Sequence, residues 1–240
     1  MTTNNDDVKL IGAWASPFVW RVKVALNLKS VNFESIEETF APKSQLLLES
    51  NPVYKKIPVL IHGAKSISES SIIVEYIDET WTSAPSILPS DSYDRAIARF
   101  FLVYIVSRCN ILLFPAIKSI AAAQGDDEKK KLIKELGEGL VLVEDALKKI
   151  SNGKDFFGGD QIGYLDLAFG SIFPWLRVVE TLHEVQLLDE ATTPGLVNWG
   201  QKYSKHDAVK DVLPEHEKLV GFAKFLAARA AAAAAASTPN

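Results

Sequence analysis

Ser16 stands where a short strand-like run, Val8 to Ala13 (VKLIGA), gives way through Trp14-Ala15-Ser16-Pro17 to residues with helical apolar spacing. Proline suits the first turn of a helix, so the spacing predicts a helix starting at about Ser16. The unpaired N–H groups and positive dipole end of that helix would stabilise an anion, to which the Ser16 hydroxyl could donate; the same hydroxyl could equally just cap the helix. A second place is Ile57-Pro58, after Lys55-Lys56. Proline has no N–H for a sheet ladder, which implies an edge or a special turn, with a cis peptide compatible and a plain strand entry the alternative. A third is Glu69-Ser70, at the start of another predicted helix, where the free amides favour a carboxylate ligand and Ser70 adds a hydroxyl donor, although Ser-Glu-Ser also serves as ordinary capping. Phe18, close behind Ser16, can supply one apolar wall for a second ligand.

These three places must be positioned by the elements between them. Phe18, Val22, Val24, Ala25 and Leu28 recur near helical spacing up to Lys29, and Val31 to Ile36 then alternates as a strand, giving a βαβ start. Two short strands follow, Pro58 to His62 and Ser66 to Ser68, joined by Gly63-Ala64-Lys65 as an antiparallel hairpin, and Glu69 to Trp81 reads as a helix. The Ser- and Pro-rich stretch TSAPSILPSDS breaks periodicity and predicts a linker with exposed backbone. Helical spacing then covers 94–121, 126–150, 166–188, 194–205 and 214–230, with breaks such as Gln124-Gly125 and Ser151-Asn152-Gly153. The expected division is an α/β domain over 1–83, a linker over 84–93 and an all-helical bundle over 94–240. The Ala-rich run Ala227 to Ala236 reads as a frayed helix end.

Composition removes several function classes. The 240 residues carry a net charge of −4, which supplies no basic field for nucleic acid. The single cysteine, Cys109, leaves no disulfide framework and no thiolate cluster, and lies in an apolar run as a small buried residue, so a reducing cytoplasmic setting is expected. The start MTTNNDDVK is polar and acidic, and no stretch suits a membrane span. His62, His183, His206 and His216 are scattered without metal spacing, and no glycine-rich phosphate loop follows a strand, so neither metal nor nucleotide is expected.

Three blocks, LIGAWASPFVWRVKVALNLKSVNFE, APKSQLLLESNPVYKKIPVLIHGAKSISESSIIVEYIDETW and FFGGDQIGYLDLAFGSI, resemble the tau-class glutathione transferases of plants, and the likeness spans nearly the whole chain. The resemblance implies a thioredoxin-like N-terminal domain followed by an all-α domain, with glutathione as co-substrate. By it, Ser16 holds the glutathione sulfur as thiolate, the backbone of Ile57 pairs with the cysteinyl residue, Glu69 meets the α-amino group, and Ser70 meets the γ-glutamyl carboxylate. Lys43, preceded here by Pro42 where the family often has Asn, and Lys56 meet the glycyl carboxylate. The hydrophobic acceptor site would combine Phe18 with Tyr104, Arg108, Trp175, Phe222 and Leu226, residue types that also serve as ordinary core. A homodimer, detoxification of hydrophobic electrophiles in stress responses and a peroxidase side activity are likewise implied.

Gly163-Tyr164-Leu165-Asp166 resembles the family's helix-capping box with Gly163 in place of the usual hydroxyl residue, and its role is structural. Two rival functions remain in view. A ligand carrier would use the apolar site without turnover, and a thiol transferase would need cysteine where this chain has Ser16.

Overall fold

The computed structural model describes residues 7–39, 41–82, 85–108, 115, 117 and 126–236. Four strands, β1 (Val8–Gly12), β2 (Glu34–Glu37), β3 (Val59–His62) and β4 (Lys65–Ser68), form one sheet in the order β2-β1-β3-β4. The β1–β2 pair is parallel and the other two pairs are antiparallel. Three helices belong with the sheet: α1 (Pro17–Leu28), α2 (Gln45–Ser50) and α3 (Ser70–Thr80). The period-2 alternation of strands decides what covers each face. Leu10 and Leu60 point into the large core with α1 and α3, whereas Ile11 and Val59 pack with Leu47 of α2.

Several boundaries differ from the spacing-based expectation for physical reasons. β2 starts at Glu34 rather than Val31, because Val31 is drawn into the core, where its N–H reaches Leu26 O. β3 starts at Val59, after the proline that cannot join the ladder. The hairpin loop is only Gly63-Ala64, since Lys65 already pairs with His62, and Gly63 supplies the positive φ of 59° that the tight turn needs. Six-residue α2 was not expected at all. It is too short to show a period, and its signal is the Ser44 cap, whose Oγ accepts from Leu47 N at 3.1 Å.

The other helices with described bounds are α4 (Ser92–Arg108), α5 (Asp126–Ile150), α6 (Tyr164–His183), α7 (Pro194–Lys205) and α8 (His216–Ala236). The expected helix over 94–121 can be followed as α4 to Arg108; Cys109 lies outside the described residues. Helix α6 stops five residues short of the expected 188, because Glu184 turns left-handed and the Glu180 carboxylate accepts from Leu187 N and Leu188 N at 2.7 and 2.9 Å. Helix α8 starts two residues beyond Pro214 and is helical through the run of alanine, the residue type with the highest helix propensity, to Ala236.

The segment joining the two halves is pinned rather than loose. Asp78 of α3 accepts from Ile87 N at 2.8 Å and Leu88 N at 2.9 Å and pairs with the buried ammonium of Lys29, the C-cap of α1, at 2.7 Å. Lys29 also donates to Pro85 O at 2.9 Å. Burial penalises the Asp78 charge, but these donors outweigh it and hold its pKa below the usual carboxylate value. Helix α6 is the axis of the second half, packing on α1, α4 and α8, and a single apolar core runs from the sheet into the helices.

The start of α6 explains Gly163. Asp166 is buried and accepts from Gly163 N, Gly158 N, Phe157 N and Trp199 Nε1 at 2.7–2.9 Å, while burial raises its pKa to about 6. A Cβ on Gly163 would come within 2.9 Å of Gly158 Cα, so the close approach of these two loops leaves no room for a side chain.

Candidate glutathione site

The sheet register brings the three expected positions to one end of the sheet, and β3, which follows Pro58, is an interior strand rather than an edge. Gly12 pairs with Glu37, so β1 and β2 end together; Ile11 pairs with Val59, so β3 begins there; Val59 pairs with Ser68, so β4 ends there as well. Ser16, Ile57, Glu69 and Ser70 follow or precede those strand ends by a few residues and converge across the chain separations that hid their proximity.

Ser16 caps α1 with extended backbone, and its Oγ lies 3.4 Å from Val19 N. That is longer than a good N–H···O bond, and the same Val19 N–H has a closer acceptor in Ser16 O at 3.1 Å. In such a cap the oxygen accepts, so the hydroxyl proton stays available to a ligand whether or not the cap forms, and the two roles of this serine are compatible. The turn before it is held tightly. Ser16 N donates to Ala13 O at 3.0 Å, Trp20 Nε1 to Trp14 O at 2.6 Å, Trp14 N to Glu37 Oε1 at 2.8 Å and Trp175 Nε1 to Ala15 O at 3.2 Å.

At the other end, Glu69 precedes α3 with φ 74° and makes no side-chain capping bond to the helix. A non-glycine residue in this region carries strain of about 1–3 kcal/mol, and such strain gathers where ligands are held. Ser70 is buried, and its Oγ accepts from Arg21 of α1 at 3.0 Å. Arg21 lies five positions beyond Ser16, about 7.5 Å along the helix axis. It also donates to Ser171 Oγ at 3.0 Å and to Ala168 O at 3.4 Å on α6.

The flanking residues are arranged as follows. The Ile57–Pro58 peptide is cis, as is Ala41–Pro42. Lys43 Nζ donates to Lys55 O at 2.6 Å and keeps two further N–H donors, and Lys56 is exposed, with its carbonyl accepting from Asn51 Nδ2 at 2.9 Å.

The apolar residues divide into two groups. Phe222 of α8 lies 5.1 Å from the Trp14 ring and 6.5 Å from that of Trp175, with Leu226 one turn further and Phe18 half-buried at the start of α1. Trp175 itself is only 2% exposed and offers the edge of its indole to Ala15 rather than a face to open space. Tyr104 and Arg108 stack on each other at 5.3 Å in a narrow crevice with Phe169, Ile172 and Leu176, between α4, α5 and α6. The Tyr104 hydroxyl is buried there and has no hydrogen-bond partner among the described residues. A groove of about 1140 Å³ runs between α4 and α5 past Tyr93, Ile97, Phe100 and Leu142, and no residue of the Ser16 turn lines it.

Sequence reasoning missed Arg21, Glu37, Trp20 and Lys218, whose ammonium lies 4.4 Å from the centre of the Trp14 ring. Arg21 had a signal: a charged residue one turn after Pro17, on the buried face of an apolar helix. Glu37 and Lys218 had none, because their roles depend on pairings made only in the fold.

Two family models match the chain, Glutathione S-transferase, N-terminal domain over residues 6–79 and Glutathione S-transferase, C-terminal domain over residues 104–207. Glutathione S-transferase U17 of Arabidopsis thaliana is 55% identical over 221 residues, covering 92% of this chain and 96% of the relative, and U18 of the same plant is 52% identical over 222 residues, with the same coverage. The crystal structure of the tau-class enzyme MiGSTU from mango, Mangifera indica, superposes with a TM-score of 0.86 at 56% identity, over 92% of this chain and 99% of that one. Rice GST1, OsGSTU1, in complex with glutathione superposes with a TM-score of 0.82 at 31% identity, over 92% and 98%. The chain thus belongs to the glutathione S-transferase family, in its tau class, and is a glutathione transferase. Among the described residues no helix is long and apolar enough to cross a membrane, and no cluster of three His, Cys, Asp or Glu groups is suited to a metal.

Proposed function

We propose that this enzyme holds glutathione across the end of the sheet between Ser16 and α3 and directs its thiolate onto an electrophilic carbon of an apolar acceptor. The observation that supports the reading is the position of Ser16 as N-cap of α1, where its oxygen faces Val19 N and its proton remains to be donated to a ligand sulfur beside the positive end of the helix. Ser16 stabilises the thiolate and is not itself the nucleophile; each pKa unit by which it lowers the thiol is worth about 1.4 kcal/mol. Ser70, whose oxygen already accepts from Arg21, turns its proton to the γ-glutamyl carboxylate, beside the free amides of α3. Glu69 receives the α-amino group, the Ile57 backbone pairs with the cysteinyl residue, and Lys43 and Lys56 meet the glycyl carboxylate.

Phe18, Phe222 and Leu226 form the nearer acceptor wall, with Trp175 behind Phe222, and Tyr104 and Arg108 form the farther side. A largely apolar surface discriminates by only about 1–3 kcal/mol per methylene, so a broad range of xenobiotic and lipid-derived electrophiles follows, with peroxide reduction as a side activity and detoxification under stress as the role. The working division is 1–83 for glutathione, 84–93 as linker and 94–240 for the acceptor. One cysteine leaves no disulfide within the chain, which suits the cytoplasm. The enzyme acts as a homodimer through the exposed apolar residues of α3 and α4.

Ser16→Ala tests the reading. Turnover is expected to fall about tenfold to a thousandfold with glutathione affinity largely kept, since one donor to the thiolate is lost. An alanine variant that conjugates a standard electrophile at the parent rate across neutral pH would overturn it.

A further inference from the structure

We infer that Trp175, on α6 of the helical half, is a positioning residue for Ser16, acting through the carbonyl of Ala15 rather than by touching the acceptor. The inference rests on the role proposed above for Ser16. The direction in which the Ser16 side chain leaves the backbone is set by the peptide plane between Ala15 and Ser16. Both polar groups of that plane are held. Its N–H, on Ser16, donates to Ala13 O at 3.0 Å, and its C=O, on Ala15, accepts from Trp175 Nε1 at 3.2 Å. The first bond is local and closes the turn. The second crosses 160 residues of sequence and fixes the plane against rotation from outside the sheet domain.

Three further observations favour positioning over contact with a substrate. Trp175 is 2% exposed, so it has almost no surface for an acceptor to cover. It follows Pro174 inside α6, and a proline at that position releases one backbone hydrogen bond and lets the helix bend. The preceding plane is pinned in the same manner, by Trp20 Nε1 on Trp14 O at 2.6 Å, so consecutive carbonyls ahead of Ser16 are each held by an indole. A hydroxyl that must meet a sulfur within hydrogen-bond range is sensitive to sub-ångström shifts, and displacements near 1 Å can cost about a hundredfold in rate. Trp175 thus ties the thiolate-stabilising group to the helical domain.

The test removes the N–H and keeps the shape, by placing 3-benzothienylalanine at position 175, alongside Trp175→Phe. The apparent pKa of the bound glutathione thiol is read from its thiolate absorbance, and kcat and KM are measured for acceptors graded in size. The inference expects the thiol pKa to rise and kcat to fall about threefold to thirtyfold, with acceptor KM values and their ranking unchanged. The isosteric variant keeps this readable if the phenylalanine variant folds poorly. On the Ser16→Ala background the same replacement should add nothing. If the isostere leaves thiol pKa and kcat at parent values, or changes only the KM of the larger acceptors, Trp175 is a wall and the inference is wrong. If Ser16→Ala itself leaves the thiol pKa unmoved, the underlying role of Ser16 falls instead, and the two failures are told apart within one experiment.

Discussion

Arg21 donates to Ser70 Oγ across 3.0 Å, from a guanidinium buried on α1 to the first residue of α3. The bond fills one acceptor position on the Ser70 oxygen and leaves its proton to be given away. Ser70→Ala and Glu69→Ala should therefore act on glutathione binding. Loss of a hydrogen bond to a charged group costs about 1.5–3 kcal/mol, so calorimetry should show affinity for glutathione weakened roughly tenfold to a hundredfold, with acceptor KM moving less. Equal affinity in the parent and the double variant would remove both residues from the site.

Asp78→Asn should loosen the connection between the two halves in a pH-dependent way. The folded-state pKa of Asp78 is lowered, so its charged contribution is present above the unfolded carboxylate value near 3.8 and is lost as pH falls through and below it. The substitution leaves the buried Lys29 without its carboxylate partner, and breaking such a pair costs about 3 kcal/mol or more. The Tm gap between parent and variant should be widest above about pH 5 and shrink toward pH 3. A gap that stays constant over that range would show that the charge of Asp78 is not what matters.

Ile72 on α3 and Tyr93, Phe100 and Val103 on α4 are exposed large apolar side chains, with Phe100 64% exposed, and a monomer has little reason to keep so many on neighbouring helices. Phe100→Asp should weaken self-association. Light scattering is expected to give twice the 26.4 kDa chain mass for the parent and a shift toward a single chain for the variant. A parent mass that stays at 26.4 kDa as concentration rises would rule out the homodimer.

The long periodic elements and the local turns at the three candidate places were legible in the sequence, because both depend on local order: Pro17 after Ser16, Pro58 after Ile57, a helix start at Glu69-Ser70. It was silent on α2, where six residues carry no usable period. The linker misled, since its Ser and Pro content suggested exposed backbone, while Ile87 and Leu88 are buried and bound to Asp78. Long-range pairings were out of reach. Nothing in the spacing of Trp175 and Ala15, or of Arg21 and Ser171, announces a hydrogen bond.

The unbroken apolar core from Leu10 and Leu60 through α1 into α6 has a consequence for how such chains can be recombined. Were the halves separable modules, a sheet domain from one enzyme could be spliced to the helices of another and each would melt on its own. Here Trp20 and Val24 of α1 and Leu167 and Val178 of α6 belong to a single interior, so the halves should fold and melt as one cooperative unit. A chimera that changes only one side of this seam inherits a mismatched interior, and the rigidity of the Ser16 turn is lost before any residue of the active site has been altered.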